Sequence, residues 1–98
     1  MSTTELQLMI WQSVAAIPYG SVASYGDIAR QCGYPNQARF VGRTLKNLPA
    51  DSSLPWHRVI KANGELAFPE GSAAFEQQFQ RLLQEGIAFN GHRVRLQR

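Results

Sequence analysis

The sequence predicts a mainly α-helical fold with small β hairpins, a single domain built around a helix-turn-helix in a winged-helix-like arrangement. Three observations predict it. Apolar residues recur at helical spacing in three stretches, and a fourth, short stretch is marked by its capping residues. Two of these stretches are joined by a short turn containing Gly33, the sequence form of a helix-turn-helix. The pairs Asn63-Gly64 and Asn90-Gly91 then mark two tight hairpin turns. At 98 residues the chain carries one core, so residues 1–98 are expected to form one domain. With 44% hydrophobic and 17% charged residues, the composition is that of a folded globular protein and argues against disorder or coiled coil.

Each element follows from local chemistry. Thr4 and Gln7 form a capping box, and Leu6, Met9, Ile10, Val14 and Ile17 keep helical spacing up to Pro18, giving a first helix from about Glu5 to Ala16. After a turn at Pro18-Tyr19-Gly20, Ser24 with Asp27 three residues on caps a short second helix that stops at Gly33. Asn36 can cap a third, in which Ala38, Val41, Leu45 and Leu48 share a face until Pro49. Beyond Pro55, the run from Val59 and Ile60 through Asn63-Gly64 to Leu66 predicts a hairpin or wing. Gly71 and Ser72 open a fourth helix with Phe75, Phe79, Leu82 and Leu83 inward, ended by Gly86. Ile87, Phe89, Val94 and Leu96 alternate around Asn90-Gly91 as a second hairpin.

Charge is unevenly placed. The net charge is +3, yet the window from Arg30 to Lys61 holds six basic residues against Asp51 alone, so a polyanion would be met there. A solvated face that binds nothing is the plain alternative. Arg39, Arg43 and Lys46 fall at i, i+4 and i+7 of the third helix, one stripe away from its apolar face. Gly42 lies among them, and a mid-helix glycine costs about 1 kcal/mol relative to alanine. Close approach of a phosphate chain accounts for it, and so does tight packing inside the protein.

Several chemistries are disfavoured. His57, His92 and Cys32 lack metal-ligand spacing, so no metal and no cofactor is expected. The scattered glycines make no phosphate-binding loop. Cys32 reads as a small buried residue at a helix end, and as the only cysteine it forms no internal disulfide. No run approaches the ~20 apolar residues of a spanning helix and the first residues lack a signal-peptide pattern, so an intracellular, cytoplasmic protein without membrane attachment is expected.

The segment Leu54-Pro55-Trp56-His57-Arg58-Val59-Ile60 packs an indole, an imidazole and a guanidinium between a proline and a strand. The order Ile17-Pro18-Tyr19-Gly20, Ser24-Tyr25-Gly26-Asp27-Ile28-Ala29, Ala38-Arg39-Phe40-Val41-Gly42, Pro55-Trp56-His57-Arg58-Val59 and Glu85-Gly86 closely resembles the DNA-binding domain of the O6-alkylguanine-DNA alkyltransferases. Those enzymes carry an alkyl-accepting cysteine between that proline and histidine, activated through the histidine and a glutamate. Here the position is Trp56, and an indole has no sulfur to form the thiolate that transfer requires. The chain therefore resembles the alkyltransferase-like proteins, which bind O6-alkylguanine without repairing it and flag it for nucleotide excision repair. The resemblance implies a non-enzymatic monomer whose partners are duplex DNA containing O6-alkylguanine and nucleotide excision repair proteins. It does not extend to the additional N-terminal domain of longer alkyltransferases.

On the same footing, the recognition helix enters the minor groove, with Ala38 and Gly42 allowing close approach and Arg39 acting as the intercalating finger that fills the space of a flipped nucleotide. Tyr25, Trp56 and Val59 form the lesion pocket, Tyr25 helping to rotate the nucleotide, Trp56 walling the alkyl group, and the backbone of Trp56 and Val59 reading the guanine edge. Arg43 and Lys46 are expected on phosphates. His57 and Glu85 resemble the family's activating pair and, without a thiol, form a structural hydrogen-bonded pair; Arg58 is structural or phosphate-facing. Pro69 and Glu70 stand where the family's lid often has other residues, and Leu48 where many members have Asn. Two further hypotheses compete: an enzyme using another nucleophile, against which Cys32 lies in the helix-turn-helix, and a winged-helix regulator that reads a defined sequence.

Overall fold

In the computed structural model, which describes residues 3–48 and 52–95, helix α1 spans Thr3–Ala15, strand β1 Ala23–Ser24, α2 Tyr25–Gln31 and α3 Ala38–Lys46. A single 3₁₀ turn at Trp56–Arg58 leads into β2, Val59–Ile60; α4 covers Ala73–Gln84, and β3, Phe89–Asn90, and β4, Arg93–Val94, complete the order. The expected roles of the Thr4 side chain, Pro49 and Leu96 lie outside the described residues.

The ends of α2 follow the sequence closely. The Ser24 hydroxyl accepts from the Asp27 N–H and the Asp27 carboxylate accepts from the Ser24 N–H, both at 3.0 Å, which is a complete capping box. The bond from the Ser24 backbone is the main reason the Asp27 carboxyl is held below its usual range. At the other end Gly33, at φ +84°, donates to Arg30 O while Tyr34 donates to Ala29 O, so the helix closes in a Schellman motif. α4 is built likewise, with the Ser72 hydroxyl accepting from the Phe75 N–H, and with Gly86 and Ile87 donating to Leu83 O and Leu82 O.

Three expectations are corrected. Asn36 does not cap α3: the Gln37 N–H donates to Tyr34 O at 2.9 Å, which takes Asn36 into the preceding turn and leaves Gln37 at the cap without a side-chain bond. Leu83 is 43% exposed, because α4 buries one stripe and Gln78, fully buried between Phe75 and Leu82, occupies the inward place. The first hairpin shrinks to a turn, in which the Gly64 N–H donates to Lys61 O and the Lys61 N–H to Glu65 O. Val59 and Ile60 are each 1% exposed and buried on both strand faces, and they pair instead in parallel with β1, Ala23 opposite Val59 and Ser24 opposite Ile60. The second hairpin forms as expected, with β3 antiparallel to β4.

The side chains of this short ladder alternate between two cores. Val59 joins Ile10, Val14, Ile28, Ala29 and Val41 between α1, α2 and α3, with Ala23 packed alongside. Ile60 joins Leu66, Phe75, Leu82 and Val94 around α4, with Val22 packed alongside. The strand period of two thus makes β1 and β2 the wall shared by the two clusters. Among the described residues no helix is long and apolar enough to cross a membrane.

Candidate nucleic-acid interface

The α2–α3 pair presents the basic stripe outward. Arg39, Arg43 and Lys46 are exposed and, with Ala38 and Gly42, line an open trough of about 570 Å³. Tyr25, Lys61 and Ala67 complete its lining. Arg43 and Lys46 lie in the last turn of α3, where the helix dipole favours cations. Of the two reasons for Gly42, internal packing is the weaker. A Cβ built there would come no closer than 3.8 Å to the Tyr25 ring, an ordinary contact that the interior would accept.

Beside the trough lies a second cavity, of about 280 Å³, just below the ~300–1,000 Å³ of small-molecule sites. Tyr25 and Trp56 stand in its wall, with Leu45, Leu48 and Phe68 adding apolar surface and Lys46 and Gln77 polar groups. Tyr25, Lys46 and Ala67 belong to both spaces, so the cavity adjoins the trough. Burial pushes the Tyr25 phenol pKa up, leaving its hydroxyl protonated and able to donate at neutral pH. Trp56 is half-buried; its ring meets Phe68 edge-on at 5.8 Å and His57 at 6.1 Å. Arg81 places its guanidinium carbon 5.5 Å from the indole.

Val59 does not line the cavity. Its side chain is in the first core, its N–H donates to Trp56 O, and its carbonyl accepts from Gln78 Nε2 at 3.0 Å, so the expected reading of guanine by this backbone meets groups already engaged. Pro69 and Glu70 are also displaced from it. They edge a neighbouring depression, where Glu70 pairs with His92 at 3.0 Å, while Ala67 and Phe68 meet the cavity itself. Cys32 is 5% exposed near Ser13, and it does not line the cavity.

Behind Trp56 sits a buried ionic network. The Glu85 carboxylate accepts from Arg58 Nε at 2.8 Å and from a second guanidinium nitrogen at 2.9 Å; His57 Nε2 lies 2.6 Å away and the Gly20 N–H donates at 3.2 Å. Arg58 also donates to Ile17 O at 2.9 Å, and its guanidinium lies over the Tyr19 ring, so its part is internal rather than phosphate-facing. The Arg58 bonds, helped by His57 and Gly20, outweigh burial and bring the Glu85 pKa down to about 2 from 4.5. His57 and Glu85 are therefore hydrogen-bonded as expected, and His57 Nδ1 has no hydrogen-bond partner among the described residues.

Sequence reasoning missed two positions. Lys61 entered only as one charge in the basic window; the parallel β1–β2 pairing is what brings it to the trough. Gln78 donates to His57 O and Val59 O and accepts from the Ala67 N–H, pinning the Trp56 segment to α4 and to the cavity rim. Its signal was its place in the Phe75–Leu82 stripe, where a polar residue needs a buried partner.

Known proteins resemble this chain in sequence and in fold. Residues 5–87 match the family described as 6-O-methylguanine DNA methyltransferase, DNA binding domain. A DNA base-flipping protein of Escherichia coli (strain K12) is 46% identical over 82 residues, which are 84% of this chain and 62% of that protein, so the match spans less than two thirds of that relative. Alkyltransferase-like protein 1 of Schizosaccharomyces pombe is 40% identical over 87 residues, 89% of this chain and 81% of that one. The crystal structure of S. pombe Atl1 in complex with damaged DNA containing O6-carboxymethylguanine superposes with a TM-score of 0.87 at 36% identity, covering 99% of this chain and 93% of that one.

Proposed function

The chain belongs to the family of the 6-O-methylguanine DNA methyltransferase DNA-binding domain, and from that premise we propose that it recognises O6-alkylguanine in duplex DNA by receiving the flipped base in the cavity beside α3, without transferring the alkyl group. One observation carries the proposal: the basic trough and the cavity share Tyr25, Lys46 and Ala67. A duplex held along α3 then has the cavity beside it, and a nucleotide rotated out of the stack needs only a short path. Arg39 stands in the trough to occupy the vacated space, and Gly42 lets the DNA backbone approach.

In this reading, which follows from the resemblance of the Pro55-Trp56-His57 block, Trp56 stands where the family carries its acceptor cysteine. The indole offers an apolar face to an alkyl substituent and no nucleophile to remove it, and Cys32 lies outside the cavity. The lesion therefore persists in complex, marked for nucleotide excision repair. The chain acts as a monomer in this scheme. Relatives named for base flipping and for likeness to alkyltransferases support the damage-recognition part of this reading.

The test is a comparison of binding to two duplexes that differ only in guanine or O6-methylguanine, with protein mass and lesion content followed during incubation. Tighter binding to the lesion, with protein mass and lesion content both unchanged, is expected. Equal affinities, or a protein heavier by one methyl, would overturn the proposal. In the same assay Arg39→Ala should lower lesion binding and the extrusion signal of a fluorescent base analogue, whereas Arg43→Ala and Lys46→Ala should each mainly flatten the salt dependence, by about one phosphate contact. Equal losses from all three with extrusion intact would reduce Arg39 to a phosphate contact.

A further inference from the structure

The indole in the cavity wall is itself flanked by a cation. Ala74, Gln77 and Arg81 follow one another at three- and four-residue spacing in α4, so they lie along one side of the helix. Ala74 and Gln77 line the cavity, and Arg81, one turn on, reaches the Trp56 ring. Among the described residues no carboxylate is paired with Arg81. The acid placed to do so at i+4, Glu85, has both oxygens taken by Arg58, His57 and Gly20. A half-buried guanidinium beside an indole is attracted by the ring quadrupole, more strongly than at an exposed site.

We propose that Arg81 is a positioning residue for lesion recognition: its guanidinium fixes the orientation of Trp56 and thereby sets how sharply the cavity separates alkylated from unmodified guanine. The proposal rests on the lesion-binding function above. Phe68 and His57 meet the indole at near-perpendicular ring planes, and Arg81 adds a charged contact from a third element. A wall already held in its bound orientation loses less freedom when a base arrives, so the benefit falls on the lesion complex. Binding of undamaged duplex, which uses the trough, does not draw on it.

Arg81→Leu keeps aliphatic bulk without charge, and Arg81→Lys keeps the charge. In a Trp11→Phe background, where emission reports Trp56 alone, both variants are compared for acrylamide quenching of the free protein and for affinity to the guanine and O6-methylguanine duplexes across a salt series. Arg81→Leu should weaken lesion binding about three- to tenfold, leave the affinity and salt slope for undamaged duplex unchanged, and make Trp56 more quenchable; Arg81→Lys should restore part of each. Equal loss on both duplexes with a flatter salt slope would make Arg81 a phosphate contact and overturn the proposal. Unchanged selectivity and quenching would overturn it too. Absence of lesion preference in the unsubstituted protein is a different result, striking the lesion-binding function first, and the quenching series then shows separately whether Arg81 holds the ring. Should Arg81→Leu fail to fold, Arg81→Gln takes its place in the same comparison.

Discussion

Replacing Glu85 with glutamine is expected to remove about 3 kcal/mol of stability at neutral pH, and with it the acid sensitivity that this carboxylate contributes. The Glu85 side chain is 7% exposed and that of Arg58 15%, so both charges have left water and depend on each other. An amide keeps an acceptor oxygen but no charge, which leaves the Arg58 guanidinium buried without its counter-ion. The pH dependence has a definite sign. The folded-state pKa of Glu85, about 2, lies below its ordinary 4.5, so the folded protein binds a proton less readily than the unfolded chain. The stabilisation is complete above roughly pH 5 and is lost as pH falls towards 2, a change of about 3 kcal/mol for a shift of this size. Urea denaturation at pH 7, 4, 3 and 2 measures it. The unsubstituted protein should lose stability steeply over that range and Glu85→Gln much less. Parallel profiles would show that the network contributes nothing to acid unfolding.

Trp56→Ala is expected to erase most of the preference for alkylated guanine, a change on the order of tens-fold in the affinity ratio, while binding to undamaged duplex changes little. In the proposed complex an alkyl substituent gains contact with the indole that guanine lacks, and each buried methylene is worth ~0.8 kcal/mol, to which aromatic contact adds. The residue is half-buried and outside both core clusters, so its truncation enlarges a cavity that already exists. Titration of matched duplexes together with a thermal melt of the free protein checks both parts. A collapse of stability, or equal loss on the two duplexes, would make Trp56 scaffold.

Where structure depends on neighbours in sequence, the sequence was legible. Ser24 and Asp27 announced their capping box, Gly33 and Gly86 their helix ends, and Asn90-Gly91 its hairpin. The outward stripe of Arg39, Arg43 and Lys46 needed only helical geometry. The family resemblance located Tyr25 and Trp56, which share the cavity wall. What escaped was set by distant partners. Two-residue strands such as Ala23–Ser24 and Val59–Ile60 are too short for periodicity, and their pairing joins segments far apart in the chain. That pairing and the Gln78 bonds take Val59 off the cavity and bring Lys61 to the trough. Asn36 and Leu83 had plausible residue types, but a turn one residue longer and a stripe one residue narrower decided against them.

The alternation along β1 and β2 also bears on how the molecule comes apart. Val59 and Ile60 are adjacent, yet each is embedded in a different cluster, so neither cluster can melt without exposing a face of the strand that the other needs. The two halves are therefore expected to unfold as one cooperative unit. Trp11, on the helix of the first cluster, and Trp56, held to α4 beside the second, should therefore report a single coincident transition, with equal calorimetric and van't Hoff enthalpies. On the proposed function, the helix laid along DNA and the cavity offered to the base are then expected to persist or vanish together, so that binding a duplex and inspecting it are lost in the same transition.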